Sequence, residues 1–368
     1  MSTTMTGDGE GVAAPVVAPE HTKTRRRELT WIWADGSPSA VILIYCLAAI
    51  IYLITGIRSP GFFTGGKLLS VFVLASVLGV LALAQQLVLI LKGVDLSLPW
   101  TMNMGAVLIA YFPHRGLGES VESLCLTLLC GLAVGLVNGF GIVVIGISPI
   151  IMTLGMNGLV QGTLEVLTNG QGFIAAPNWV ATLGSGSTLS VPNILIAWGV
   201  IAIVAVVVLG RTTAGARLLA VGSSGNVARY SGLRIRRITF AAYAVDGLLA
   251  AFAGILLCGF VSESYLGMGD PYLFLSVAAA VVGGVSIYGG QGSYIGVIGG
   301  ALTLTLLTYL FAAFSLGVAA SDVAFGVIVG LVVAIAGLRR RARVRGSRAV
   351  LPFLRGPATM FRRGHESE

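Results

Sequence analysis

From residue 40 to residue 338 the chain is a succession of apolar runs, and few of them alternate with polar residues in any regular way. The run after Lys67, LLSVFVLASVLGVLALA, is apolar on every face, where a helix at a soluble surface would carry a single apolar stripe. Crossing about 30 Å of hydrocarbon takes about 20 mainly apolar residues. Ten runs come near that length, at 40–56, 68–91, 96–112, 121–145, 150–167, 192–209, 239–261, 273–287, 294–314 and 323–338. The pattern predicts an all-α integral membrane protein of about ten transmembrane helices filling residues 39–338. A polar segment, 1–38, has no apolar period and reads as a disordered tail. A basic tail, 339–368, follows.

Composition agrees with the pattern. Of 368 residues 56% are hydrophobic and 10% charged, against about 25% charged in a soluble domain. Charge placement orients the bundle, because Lys and Arg of short loops stay on the cytoplasmic side. Lys23, Arg25, Arg26 and Arg27 precede the first run, and RRRARVRGSR follows the last. Between the sixth and seventh runs, within a loop at 210–238, lie Arg211, Arg217, Arg229, Arg234, Arg236 and Arg237 with no acid. Ten spans put all three segments on one side, so both termini and this loop are expected in the cytoplasm. The formal charge of +8 is then a record of topology and points to no nucleic-acid partner. The first apolar run starts too far in, and lacks a small-residue cleavage site, for a secretory signal, so it is expected to stay as an anchor. Cys46, Cys125, Cys130 and Cys258 sit in apolar runs without a C-x-x-C pair and read as buried small hydrophobes.

Catalytic patterns are scarce. Residues 61–68, GFFTGGKL, fall one residue short of the phosphate loop G-x-x-x-x-G-K-[ST]. Leu68 offers no hydroxyl to magnesium, and an apolar run follows instead of a soluble helix, so ATP binding by this chain is not expected. His21, His114 and His365 form no H-E-x-x-H, and no G-x-S-x-G occurs, which leaves an intramembrane enzyme as a weak alternative. An acid inside a span is costly and marks a candidate site. Asp246 lies well inside the seventh run and is expected either to pair with an arginine of the preceding loop or to line a polar cavity. With Asp95, Asn103, Asn138 and Asn157 it is a candidate for the pathway or gate. A proton-coupled carrier would ordinarily need more than one such relay residue deep in the bundle. Glycines at four-residue spacing, Gly131, Gly135 and Gly139, Gly292, Gly296 and Gly300, and Gly326 with Gly330, suit close helix packing in lipid.

Five stretches in order resemble the membrane-spanning permease subunits of bacterial ABC importers, in the branch that takes up ribose, xylose, galactose and related sugars. They are GVDLSLP at 93–99, GLVNGFGIVVIGISPIIMTLGM at 135–156, TNGQGF at 168–173, RYSGLRI at 229–235, and AAAVVGGVSIYGGQGSYIGVIGGALTL from residue 278. SPGFFTGGKLLSV resembles the outward loop ahead of the family's second span. The resemblance implies a chain that supplies the pathway alone and binds no cofactor. A second permease copy or a paralogue, a cytoplasmic ATPase holding ATP and magnesium, and an extracytoplasmic solute-binding protein would complete the importer. It also implies that residues 223–232 dock on the ATPase as a short coupling helix, through Ser223, Ser224, Asn226, Arg229, Tyr230, Ser231 and Gly232, with Ser224 or Asn226 as its cap. This chain departs from the family at Leu273 and Leu275, where acids are common. Branched-chain amino-acid and nucleoside permeases are the nearest alternatives, and a proton-coupled secondary transporter is the alternative of another class.

Overall fold

The computed structural model describes residues 38–114, 116, 121–170, 173–317, 320, 323–327, 330 and 334. In chain order the helices are α1 (Pro38–Arg58), α2 (Gly65–Ile90), α3 (Leu98–His114), α4 (Val121–Phe140), α5 (Pro149–Thr168) and α6 (Asn178–Ser185). Then come α7 (Asn193–Arg211), α8 (Thr213–Ser223), α9 (Gly225–Tyr230), α10 (Ile235–Val261), α11 (Tyr272–Val282) and α12 (Tyr294–Ala313). Strand structure among the described residues is slight. Ile174–Ala175 pairs antiparallel with Glu263–Ser264, and Ser187–Thr188 with Val191–Pro192. The protein is all-α, and among the described residues seven helices are long and apolar enough to cross a membrane.

The third expected run, 96–112, forms α3, displaced by two residues at each end. The eighth, expected over 273–287, stops at Val282, because Gly283 and Gly284 end α11 and Gly284 takes φ +91°, a left-handed turn that suits glycine. The tenth lies largely outside the described residues.

Two helices form the axis of the bundle. About two-thirds of the apolar window of α2 and of α10 is buried, against 17% for α7. Helix α10 packs on α2, α3, α4 and α6. Its approach to α4 depends on glycine, since a Cβ on Gly135 would meet the Tyr243 carbonyl oxygen and one on Gly131 the Ala251 side chain. Gly139 faces Phe240 in the same row. Gly296 and Gly300 of α12 likewise press on the backbone of Gly283 and Ala279, and Gly292 abuts Val285. A Cβ on Gly326 or Gly330 would meet nothing within 4 Å among the described residues.

Three helices share one buried polar bridge. Trp198 Nε1 donates to Tyr294 Oη at 3.0 Å, and that hydroxyl donates to the Gly79 carbonyl at 3.0 Å. Tyr294→Phe strands the Trp198 indole N–H in the core, while the Gly79 carbonyl keeps its place in the α2 ladder, a loss of about 1–3 kcal/mol. Thermal unfolding of the purified variant should show a lower midpoint; an unchanged midpoint would mean that the bridge contributes nothing. The cysteines differ from expectation. Only Cys258 is buried, while Cys46 and Cys125 lie exposed on the outer helices α1 and α4, where apolar side chains face outward as well.

Candidate functional site

The segment between α2 and α3 is short, non-helical and buried. Leu91 to Ser97 carries GVDLS, and Asp95 is 2% exposed. Asp95 Oδ1 accepts from the Ser97 amide and from Ser97 Oγ, both at 2.6 Å. Asn138 of α4 donates to Ser97 Oγ at 2.9 Å and, more weakly, to Asp95 Oδ2 at 3.4 Å. From α5, Thr153 Oγ1 accepts the Leu96 amide at 3.0 Å. With its amide oriented to satisfy both neighbours, Gln85 of α2 holds the Asp95 backbone, donating to its carbonyl at 3.1 Å and accepting from its N–H at 3.3 Å. Three helices thus grip one loop of five residues.

Helix α10 closes the fourth side. The Tyr243 ring reaches Gly93, whose place a side chain would contest with the Tyr243 hydroxyl. Asp246 is fully buried, and its carboxyl meets that of Asp95. Neither Asp246 oxygen has a hydrogen-bond donor among the described residues. The expected pairing with an arginine of the preceding loop is therefore absent. Arg237 lies nine residues earlier on the same helix, about 13 Å along its axis, beyond the reach of a guanidinium. Facing carboxyls with no donor between them favour an amide at one position. Asp246→Asn should leave the unfolding midpoint equal or higher, because the amide can donate to Asp95; a drop of several degrees would show that the second carboxyl is itself needed for folding.

Asp95, Asn138 and Asp246 are thus brought together, and Asn103 and Asn157 are not. Asn103, with its amide oriented likewise, spans the Tyr265 carbonyl at 2.9 Å and the Gly267 amide at 3.0 Å, holding the loop before α11. In that loop burial raises the pKa of Asp270, against a hydrogen bond from Trp100 that lowers it. Asn157 is half-buried on α5, and its enclosed oxygen has no hydrogen-bond partner among the described residues. Leu273 and Leu275 are half-buried, and Leu275 packs on the core. Sequence reasoning missed Gln85, Ser97, Thr153 and Tyr243. Ser97 and Thr153 lay inside stretches already singled out, and the Gln85–Gln86 pair stood out as polar inside an apolar run, whereas Tyr243 gave no signal.

A second feature lies at the end of α8. Ser223 Oγ donates to the Leu219 carbonyl at 2.9 Å and to the Gly290 carbonyl at 3.4 Å, and its own carbonyl accepts from Lys92 Nζ at 3.4 Å. The Gly290 amide donates to the Ile90 carbonyl at 2.9 Å. Gly222 lets these three segments touch, since a Cβ there would strike Ile90 and Gly290 backbone atoms. The joint runs from α8 to the end of α2 at Ile90, three residues before the GVDLS loop begins at Gly93. Ser224 caps α9, accepting from the Val227 amide at 3.4 Å. Ser231 Oγ donates to the Val227 carbonyl at 3.0 Å, and Gly232 ends the helix at φ +76°. Ala228 is buried beneath α9, whereas Asn226 and Arg229 are exposed and Tyr230 is 91% exposed.

Residues 67–343 match the family described as "Branched-chain amino acid transport system / permease component". Among curated proteins the chain is similar to the "Probable ABC transporter permease protein y4mJ" of Sinorhizobium fredii, at 32% identity over 70% of this chain and 77% of that one. It is 30% identical to the "Ribose import permease protein RbsC" of Escherichia coli over 78% of this chain and 88% of that one. With the "Autoinducer 2 import system permease protein LsrC" of Photorhabdus luminescens the identity is 31%, over 73% and 79% respectively. No solved structure matches. A family match across three-quarters of the chain, on a bundle of apolar helices with a buried polar loop, places the chain in the permease-component family of ABC import systems, as a multi-pass protein of the inner membrane.

Proposed function

We propose that the chain forms one half of the translocation pathway for a monosaccharide or a related small polar solute, energised by a separate ATPase that carries ATP and magnesium. The relatives named for ribose and autoinducer 2 import support the solute class. The observation that carries the mechanism is the joint at Gly222 and Gly290, which ties an exposed helical tip to the end of α2 beside the buried GVDLS loop. A push on α9 would pass through Ser223 and Ile90 to the loop that Asp95 and Asn138 hold. The other half of the path is a second copy or a paralogue. Helix α5 offers a face toward it, where Gly155, Gly158 and Gly162 are uncovered and Gln161 donates to Glu165 at 3.0 Å. A solute-binding protein would deliver cargo at the opposite end from α9.

Ten spans with cytoplasmic termini complete the reading. In a background lacking the four native cysteines, a cysteine at Arg115 should react with an impermeant thiol reagent on intact cells, and one at Arg217 only after lysis. The reverse pattern overturns the orientation. Function is tested by uptake of radiolabelled ribose into proteoliposomes holding the permease, its ATPase and its binding protein. Uptake should require ATP and ignore an uncoupler. The buried pair of Asp95 and Asp246 favours one competing reading, a proton-driven carrier; uncoupler sensitivity at constant ATP would favour that reading instead. Leucine uptake with none of ribose would point to the branched-chain amino-acid alternative.

A further inference from the structure

An apolar crevice of about 320 Å³ lies between α7, α8 and α10. Its walls include Val208, Leu218, Ile238 and Val245, and the exposed Arg217 and Arg237 also line it. Its volume is at the lower end of the range for small-molecule pockets, about 300–1,000 Å³. The apolar wall does not stop at the crevice. Val208 and Val245 are both exposed, and the outward face of α7 continues through Val200, Ile203 and Val204, so the opening lies on an exposed apolar flank of a membrane-spanning helix. Neither guanidinium group has a hydrogen-bond or ion-pair partner among the described residues. No acidic residue occurs from 210 to 245, so no carboxylate of this segment can neutralise them.

Slot and charge together describe one ligand class. An acyl chain suits the apolar walls, and a phosphodiester suits two free guanidinium groups, each of which can bind phosphate through paired N–H donors. Basic pockets between transmembrane helices at the cytoplasmic side take anionic headgroups in this way. We infer that the crevice between α7, α8 and α10 binds one anionic phospholipid, with an acyl chain along Val208 and Val245 and its phosphate between Arg217 and Arg237. The inference rests on the orientation proposed above, with this segment on the cytoplasmic side, and it stands apart from any choice of solute. The bound lipid would splint α8 to α10, the two helices that flank the α9 tip.

The test uses the full-length chain in detergent, with dioleoylphosphatidylglycerol or dioleoylphosphatidylcholine added and lipid retention read by native mass spectrometry. One phosphatidylglycerol per chain should be retained at a concentration lower than for phosphatidylcholine by on the order of tenfold, given the attraction of two arginines for an anionic lipid. Arg217→Gln with Arg237→Gln should abolish that preference. Ala241→Phe, which keeps both charges and fills the slot, should lower retention of both lipids. Equal retention of the two lipids by the parent overturns the inference, as does unchanged phosphatidylglycerol retention in Ala241→Phe, a variant that decides the matter even if the double variant fails to fold. Should the parent show no lipid preference while the double variant loses its ATPase, the arginines belong to a protein interface and the lipid site is wrong.

Discussion

Gly135→Leu should prevent the chain from folding stably, whereas Gly158→Leu should leave its stability unchanged. Both glycines sit in apolar helices at small-residue spacing, and nothing in the local sequence separates them. Their surroundings do. At Gly135 the first added carbon would meet the Tyr243 carbonyl oxygen and stand 3.0 Å from Ala244 Cα, both backbone of α10. Backbone cannot rotate aside as a side chain can, so α4 and α10 must separate, at a cost on the order of 3 kcal/mol or more. Separation would also withdraw Asn138, three residues on, from Ser97 and Asp95. At Gly158 a Cβ meets nothing within 4 Å. Purified in detergent, the Gly135 variant should aggregate or unfold many degrees below the parent, and the Gly158 variant should match it. If α5 faces the second half of the pathway, Gly158→Leu should still reduce uptake in proteoliposomes by tenfold or so, as added bulk enters a helix contact. Equal unfolding midpoints for all three proteins would mean that α4 and α10 do not touch as described.

That contrast marks the limit of what the sequence made legible. Of the ten spans that apolar run length gave, seven are long apolar helices among the described residues, because the hydrocarbon thickness sets a length that hydropathy records directly. It overran α11, since the apolar count over 273–287 ignores the backbone freedom of Gly283 and Gly284, which ends the helix inside the run. Four-residue spacing located the α4 surface that α10 covers, yet the same spacing at Gly158 and Gly162 is uncovered in the single chain. A spacing rule describes a surface; what covers it depends on helices far away in sequence. Asp246 is the clearest case. Its depth in a span marked it as exceptional, and the nearest opposite charges in sequence suggested an arginine. The residue it meets is Asp95, 151 positions earlier and also acidic, which helical periodicity within one segment has no means of indicating. By contrast, the GVDLS stretch stood out as a motif and the cap of α9 was narrowed to Ser224 or Asn226, since both are local.

Tyr230→Ala should leave the chain inserted and folded but cut its association with the ATPase. Tyr230 is 91% exposed and Val227, one turn earlier, 63%, on a helix of six residues pinned from below by Ala228. An aromatic side chain so placed contributes almost nothing to the fold of this chain, so its removal costs little stability. At an interface such an anchor can be worth about 2 kcal/mol or more, roughly a thirtyfold change in affinity. The competing account is that the loop is basic only to hold its side of the membrane. Under that account Tyr230→Ala changes nothing, and Arg229→Lys, which preserves charge, changes nothing either. A docking helix loses with Arg229→Lys the planar fork that can grip a carboxylate at two points. Gly222→Val separates docking from transmission. It leaves the exposed residues of α9 in place and forces the end of α8 away from Ile90 and Gly290. The expected pattern is therefore split. Tyr230→Ala with Arg229→Lys should weaken co-purification of the ATPase by tenfold or more and abolish uptake, while Gly222→Val should retain the ATPase, allow hydrolysis, and move no solute. A double variant that still binds the ATPase and transports at the parental rate would remove 223–232 from the coupling path. Normal uptake in Gly222→Val would leave the docking helix in place but rule out the Ile90 and Gly290 joint as the route by which its movement reaches the GVDLS loop.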